Sequence, residues 1–148
     1  MTRESGQAGI TALPLGLLTF VVVVVLVANA WAVIDAKIAV SAAAREATRA
    51  YVETPPGGDP LARAEAAAGE ALRGAGRDPA RMELQPLEAS FARCAVVRFE
   101  ARYPVAAVTV PWIGGFGAGF TAAARHTEVV DPFRTGLAAS EEPCDPPV

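Results

Sequence analysis

The chain has 148 residues, of which 52% are apolar and 20% charged, and its formal net charge is −3. This length suits a single domain with an appendage, and the weakly acidic balance excludes a basic surface for nucleic acid. Because the apolar residues are concentrated near the N-terminus and in alanine, the remaining domain is expected to have a thin core.

The first predicted element is an apolar helix that is long enough to cross a bilayer. Residues 1–9 form a short leader-like segment, predicted to be cytoplasmic, and residues 10–34 carry no charge. At ~1.5 Å per residue the second segment spans ~37 Å, whereas the hydrocarbon core of a bilayer measures ~30 Å. We therefore expect residues 10–34 to form a single transmembrane helix with the lipid bilayer as its partner.

The helical pattern continues beyond the apolar segment, through residues 35–53. No glycine or proline interrupts this stretch, which is rich in alanine, the strongest helix former. Its small and apolar residues lie on one arc of the helix, opposite most of its charged residues. This stripe is expected to pack against partner helices or against the protein's own sheet, and both can hold for different lengths of the helix. Its members are Ala36, Val40, Ala43, Ala44, Ala47, Ala50 and Tyr51.

A second, shorter helix is predicted after a linker at residues 54–58. Asp59 suits the N-cap and Pro60 the first helical position, and Gly76 suits the C′ position just beyond the end. This helix opens a domain that is predicted to occupy residues 59–135. The weak apolar face of the helix consists of Leu61, Ala64, Ala68, Leu72 and Ala75.

Three strands are predicted after the second helix. Residues 81–87 suit an edge strand, because Pro86 cannot donate a hydrogen bond in a central position. Residues 93–105 alternate in polarity, and residues 120–130 are typical of a third strand. The predicted fold class is α+β, with a long N-terminal helix, a short second helix and a small antiparallel sheet. The inward face of the middle strand consists of Ala95, Val97, Phe99, Ala101 and Tyr103.

Two further segments stand out by composition, one between the last two strands and one at the C-terminal end. Residues 104–120 are too apolar for an ordinary exposed loop, so they are expected to cover the core, touch lipid or meet another subunit. Residues 136–148 are polar and rich in proline, and are predicted to form a flexible tail that Cys144 would tether if the cysteines pair. The candidate contact residues of the apolar connection are Trp112, Ile113, Phe116 and Phe120.

The two cysteines are predicted to pair if the domain lies outside the cytoplasm. Cys94 stands in a strand-like run and Cys144 in the polar tail, and their spacing is not that of a metal site. A disulfide that closes a loop of this size contributes ~4 kcal/mol of stability in the chain-entropy model. The alternative is a pair of free thiols.

No pattern in the sequence indicates catalysis. His126 is the single histidine and stands in a strand-like run, and the glycines at 114–119 do not form a nucleotide-binding motif. No cluster of Cys and His has the spacing of metal ligands. We therefore predict a non-enzymatic protein without catalytic residues, cofactor, metal or small-molecule substrate.

Three stretches carry a resemblance to a known family. They are ESGQAGITALPLG at residues 4–16, AAAREATRAYVE at 42–53 and TEVVDPFR at 127–134. In this order they resemble the TadE/TadG-like minor pilins and assembly proteins of tight-adherence (Flp-type) pili, in their actinobacterial form. The resemblance covers most of residues 5–135.

The resemblance implies a pilin-like fold and a place in pilus biogenesis. The protein would lie in the bacterial cell membrane as a single-pass protein, with its C-terminal domain outside the cytoplasm. Its partners would be other pilin-like or pilus assembly subunits, contacted through the N-terminal helix. The resemblance also implies processing between Gly6 and Gln7. Thr11 stands where prepilins have the glutamate that pairs with a neighbour's N-terminal amine, and a threonine cannot supply that charge.

Two other interpretations stay open at the level of sequence. Ala28, Asn29 and Ala30 precede Trp31 in the manner of a signal-peptidase site, which would release a small secreted domain after Ala30. The apolar helix could instead be a single-pass anchor for an unrelated extracytoplasmic binding module.

Overall fold

The computed structural model describes residues 7–106, 109–110, 114–115, 119–139 and 144. The predicted α+β class is confirmed: a long apolar helix and a short second helix accompany a three-stranded antiparallel sheet. The helices are α1 (Gln7–Val52) and α2 (Pro60–Gly74), and a 3-10 turn follows at Pro79–Arg81. The strands are β1 (Glu83–Ala89), β2 (Val96–Val105), β3 (Thr109–Val110), β4 (Gly114–Gly115) and β5 (Phe120–Val129).

Helix α1 is continuous from the apolar segment into the alanine-rich segment, as predicted. It ends at Val52, where the Thr54 hydroxyl donates a hydrogen bond of 2.7 Å to the Ala50 carbonyl. The proline and glycine residues that follow cannot extend the helix. The two halves of α1 therefore form one continuous helix, which at ~1.5 Å per residue is about 69 Å long.

Helix α2 begins and ends where the sequence predicts. Asp59 is its N-cap and accepts a 3.1 Å hydrogen bond from the Ala62 amide, and Gly76 has the left-handed φ of 69° that suits the C′ position. The apolar face is only partly as predicted, because Leu61 and Ala75 are exposed. The buried residues of this helix are Ala64, Ala68, Gly69 and Leu72.

Helix α2 runs back along α1 toward the apolar segment. Just after α2 ends, the Arg77 guanidinium donates a 2.6 Å hydrogen bond to the carboxylate of Asp35, in the middle of α1. A loop of a few residues joins the two helices at their other end, so they are antiparallel. The domain consequently covers the second half of α1.

The sheet has the order β1-β2-β5, and all its strand pairs are antiparallel. Strand β1 lies at an edge as predicted, and its register shifts between Pro86 and Glu88, where proline interrupts the ladder. Strand β2 begins at Val96 rather than at Arg93, because Cys94 adopts a left-handed φ of 64° that a strand cannot contain.

The core lies between one face of the sheet and the second half of α1, with α2 closing it at the side. The predicted inward residues of β2, including Phe99 and Tyr103, are buried there. Tyr51 of α1 packs edge-on against Phe91 at 5.6 Å and donates a 2.6 Å hydrogen bond from its hydroxyl to the Ala89 carbonyl. Aromatic side chains thus fill the end of a core that is otherwise rich in alanine.

The start of the C-terminal tail, residues 136–139, is held against the domain. The Arg93 amide donates a 2.9 Å hydrogen bond to the Ala138 carbonyl, Arg93 forms a bridge with Ala139, and Leu137 packs on the core. Cys94 and Cys144 are joined by a disulfide, with their Cα atoms 4.9 Å apart. Backbone pairing and the disulfide fix the tail at two points.

Candidate functional site

The most exposed apolar surface among the described residues is the first half of α1. We call residues 13–34 the apolar rod. None of its most apolar stretch is buried inside the domain, although nearly all of its side chains are hydrophobic. A surface of this kind marks an interaction with a membrane or with other proteins. Its large exposed side chains are Leu13, Leu15, Leu17, Leu18, Phe20, Val21, Val22, Val23, Val24, Leu26, Val27, Trp31 and Ile34.

The length and the polar groups of the apolar rod suit a bilayer. Helix α1 is long and apolar enough to cross a membrane, which makes it a candidate membrane span. Two polar side chains of the rod donate to the helix backbone: Thr19 to the Leu15 carbonyl and Asn29 to the Val25 carbonyl, each at 2.9 Å. In lipid, donors satisfied within the helix avoid the cost of an unpaired polar group.

A group of charged and aromatic residues marks the end of the apolar rod. Asp35 accepts the 2.6 Å contact from Arg77, and the Lys37 ammonium donates to the Ala123 carbonyl of β5. The guanidinium groups of Arg77 and Arg81 each lie 5.3 Å from the centre of the Tyr103 ring. We call the five charged and aromatic residues the boundary cluster: Asp35, Lys37, Arg77, Arg81 and Tyr103. Cations and tyrosine are the side chains that favour the membrane–water interface.

The predicted alanine stripe is enclosed by its own chain. Of the two alternatives that the sequence leaves open, packing on the protein's own sheet and second helix is the one observed for this part of α1. Ala50 is half-buried rather than buried. A partner helix would therefore have to contact the apolar rod instead. The buried members of the stripe are Ala36, Val40, Ala43, Ala44, Ala47 and Tyr51.

The other predicted site residues are placed only in part. Gln7 is the first residue of α1, whereas Gly6 lies outside the described residues. Phe120, at the start of β5, is 51% exposed. The remaining candidates of the apolar connection, Trp112, Ile113 and Phe116, also lie outside the described residues.

An ionic group that the sequence did not indicate lies on the outer face of the sheet. The side chain of Glu100 is only 6% exposed, and its two oxygens accept hydrogen bonds from Arg102 at 2.7 Å and Arg125 at 3.0 Å. The hydrogen bond from Arg102, assisted by that from Arg125, lowers the pKa of Glu100. Strand alternation predicts a solvated glutamate here, and only the pairing of β2 with β5 brings Arg125 over it.

Elsewhere the described part of the chain offers little that resembles a reactive site. His126 lies 3.3 Å from the Glu128 carboxylate, and both side chains are partly exposed. Among the described residues, no group of three or more His, Cys, Asp or Glu could hold a metal ion. The apolar rod and its boundary cluster are thus the features that most clearly suggest a binding role.

No protein-family model, curated protein or solved structure matches the chain. The resemblance to the TadE/TadG-like family consequently stays a prediction from the three sequence stretches.

Proposed function

We propose that the protein is a non-enzymatic, membrane-anchored pilin-like subunit or assembly protein of a TadE-like pilus system. The apolar rod crosses the cell membrane once, and the α+β domain lies outside the cytoplasm. Subunits of the pilus system contact the protein through the apolar rod, because the alanine stripe is already occupied by its own chain.

The observation that carries this proposal is the division of one rigid helix between two environments. Residues 13–34 expose large apolar side chains, while the domain is built on residues 36–51 of the same helix without a break. A helix with a lipid-compatible half and a domain-bearing half can hold a small domain at a fixed distance from a membrane. It also leaves one helical surface free for other membrane helices.

The disulfide supports the placement of the domain outside the cytoplasm. Cys94 and Cys144 are bonded in the structure, and disulfides persist in oxidising compartments. The pilus assignment comes from the three family-like stretches, and the ends of two of them, residues 42–53 and 127–134, meet at one end of the domain. Val52 and Glu53 line a groove there together with Val129, Asp131 and Arg134.

One observation favours the alternative of a secreted domain. Packing against the core begins at Ala32 and Val33, so cleavage after Ala30 would leave every core residue in place. The N-terminus and the non-reduced intact mass of the protein from its own cell envelope separate the two functions. A membrane-bound chain that retains residues 13–34 is expected, with a start at Gln7 if prepilin-type processing occurs. A soluble chain that starts at Trp31 would overturn the proposal.

A photo-crosslinker separates a pilus role from an unrelated anchor. Placed at Leu18 in the apolar rod, it is expected to capture a pilin-like or pilus assembly protein in the native envelope. The matched position is Ala42, which is exposed on the outward face of the second half of α1. If position 18 gives no protein adduct, the protein anchors a domain without joining a pilus complex.

A further inference from the structure

We infer that the domain rests on the bilayer through an apolar surface at the end of the apolar rod, formed by Ile34 and Ile38 of α1 together with Phe120 of β5. This inference rests on the proposed function, since it requires the apolar rod to span the membrane. Its partner is the interfacial layer of the lipid bilayer.

The direction of β5 places its first residue at the membrane end of the domain. Thr121 and Ala123 line a groove of about 470 Å³ together with Ile34 and Lys37 of α1. At the other end of the strand, Val129 lines a groove with Val52. Strand β5 therefore runs in the same direction as α1, and its N-terminal end points back toward the apolar rod.

Three large apolar side chains are exposed at this level. Ile34, Ile38 and Phe120 are 53%, 66% and 51% exposed, and Phe120 pairs across the sheet with Val105. Ile38 lies one helical turn beyond Ile34, ~6 Å along the axis, while each headgroup layer adds roughly 5–8 Å to the hydrocarbon core. All three residues consequently lie within reach of the interface once the rod is inserted.

The composition and charge around this surface fit lipid better than water. The described residues at the adjoining ends of β2 and β5, 103–106 and 119–124, carry no charge. Two cations of the boundary cluster adjoin this surface. Lys37 lines the groove, and Arg81, which is exposed, donates at 3.3 Å to the carbonyl of Pro104, the partner of Thr121 in the sheet. Cations beside an apolar edge match the phosphates and the acyl boundary of a bilayer surface.

Single-tryptophan variants of the full chain, reconstituted at one copy per lipid nanodisc, test the inference. The lipids carry bromine on the acyl chains, which quenches nearby tryptophan, and acrylamide quenches tryptophan from the water phase. The probe is Phe120→Trp with Trp31→Phe and Trp112→Phe. The control for the span is Trp112→Phe alone, which leaves Trp31 in the apolar rod. The control for water is Phe133→Trp in the background without Trp31 and Trp112, since Phe133 is 88% exposed near the opposite end of the domain.

Tryptophan at position 120 is expected to lose fluorescence to brominated lipid, less than Trp31 does, and to resist acrylamide compared with position 133. If Trp31 is quenched by lipid while position 120 responds only to acrylamide, the domain stands clear of the bilayer and this inference fails alone. Resistance of position 120 to both quenchers would also overturn it, because the residue would then be covered by protein. If Trp31 itself escapes lipid quenching, the proposed span fails.

Discussion

The two halves of α1 share one continuous helical backbone but differ in the size and polarity of the side chains that they expose. The apolar rod, residues 13–34, turns large side chains outward on all sides, whereas residues 35–52 turn alanine inward and charge outward. Apart from Ala32 and Val33 at its end, the apolar rod packs on nothing in its own domain. Small inward residues let the sheet and α2 approach the second half closely. Side-chain size, more than helix propensity, thus separates the candidate membrane span from the half of α1 that carries the domain.

The largest expected effect comes from placing charge on the rod. Val23→Asp combined with Leu26→Asp should remove the protein from the membrane fraction, since each central Asp opposes insertion by ~3 kcal/mol. The same two carboxylates at the exposed Ser41 and Ala42 should leave membrane association unchanged. Fractionation of cells and alkaline extraction of membranes measure the difference. Equal release of both variants from the membrane fraction would show that the apolar rod and the second half of α1 tolerate added charge equally.

The disulfide should act on the domain alone. Cys144→Ser is expected to lower the free energy of unfolding of the oxidised domain by ~4 kcal/mol, because a long loop in the unfolded chain is no longer closed. Its membrane fraction should stay that of the parent chain. Chemical denaturation with and without reductant provides the control, since under reduction the parent and the variant should unfold alike. A difference that persists under reduction would assign another role to Cys144.

The alanine stripe should tolerate no extra volume. Ala43 is fully buried in the core, so Ala43→Leu is expected to destabilise the domain by about 1–3 kcal/mol through overpacking. The matched change, Leu18→Ala in the rod, should leave domain unfolding unchanged. Denaturation in detergent, followed through the domain's circular dichroism, measures both. Tolerance of leucine at position 43 would mean that the stripe is not closely packed.

The smallest effect concerns Glu100 on the outer face of the sheet. Its pKa is lowered in the folded domain by the hydrogen bonds from Arg102 and Arg125, so its contribution to stability is complete above the ordinary glutamate pKa of ~4.3. That contribution is lost as the pH falls through the lowered value. Glu100→Gln should therefore flatten the loss of stability on acidification. The measurement is the free energy of unfolding as a function of pH for the parent chain and for Glu100→Gln. Parallel curves would mean that Arg102 and Arg125 do not hold the Glu100 carboxylate in the folded domain.

Much of the fold follows from local sequence, while the exceptions depend on contacts between distant residues. Asp59 and Gly76 bound α2 because caps need particular residues at particular positions, and Pro86 marks the edge strand for a similar reason. The enclosure of Glu100 depends on the register that brings Arg125 beside it. The hydrogen bond that holds the Ala138 carbonyl likewise comes from the amide of Arg93, which is distant in sequence.

The candidate functional site likewise has one part that local sequence predicts and one part that depends on contacts between distant residues. The apolar rod is visible in the sequence as a run without charge, whereas the boundary cluster is assembled from α1, the turn after α2 and strand β2. Arg77 reaches Asp35 because α2 folds back along α1, and the same guanidinium lies over the ring of Tyr103, which strand β2 supplies. A pattern search along one helix cannot detect such a cluster.

Nitroxide accessibility along α1 tests the central contrast most directly. Spin labels on Leu18→Cys and Ala42→Cys, in the non-reduced protein in lipid nanodiscs, avoid the native cysteines because these are bonded to each other. Position 18 should relax strongly with oxygen, which dissolves in lipid, and weakly with a water-soluble nickel complex; position 42 should show the reverse. Equal access of the nickel complex to both positions would contradict the division of α1 between membrane and domain.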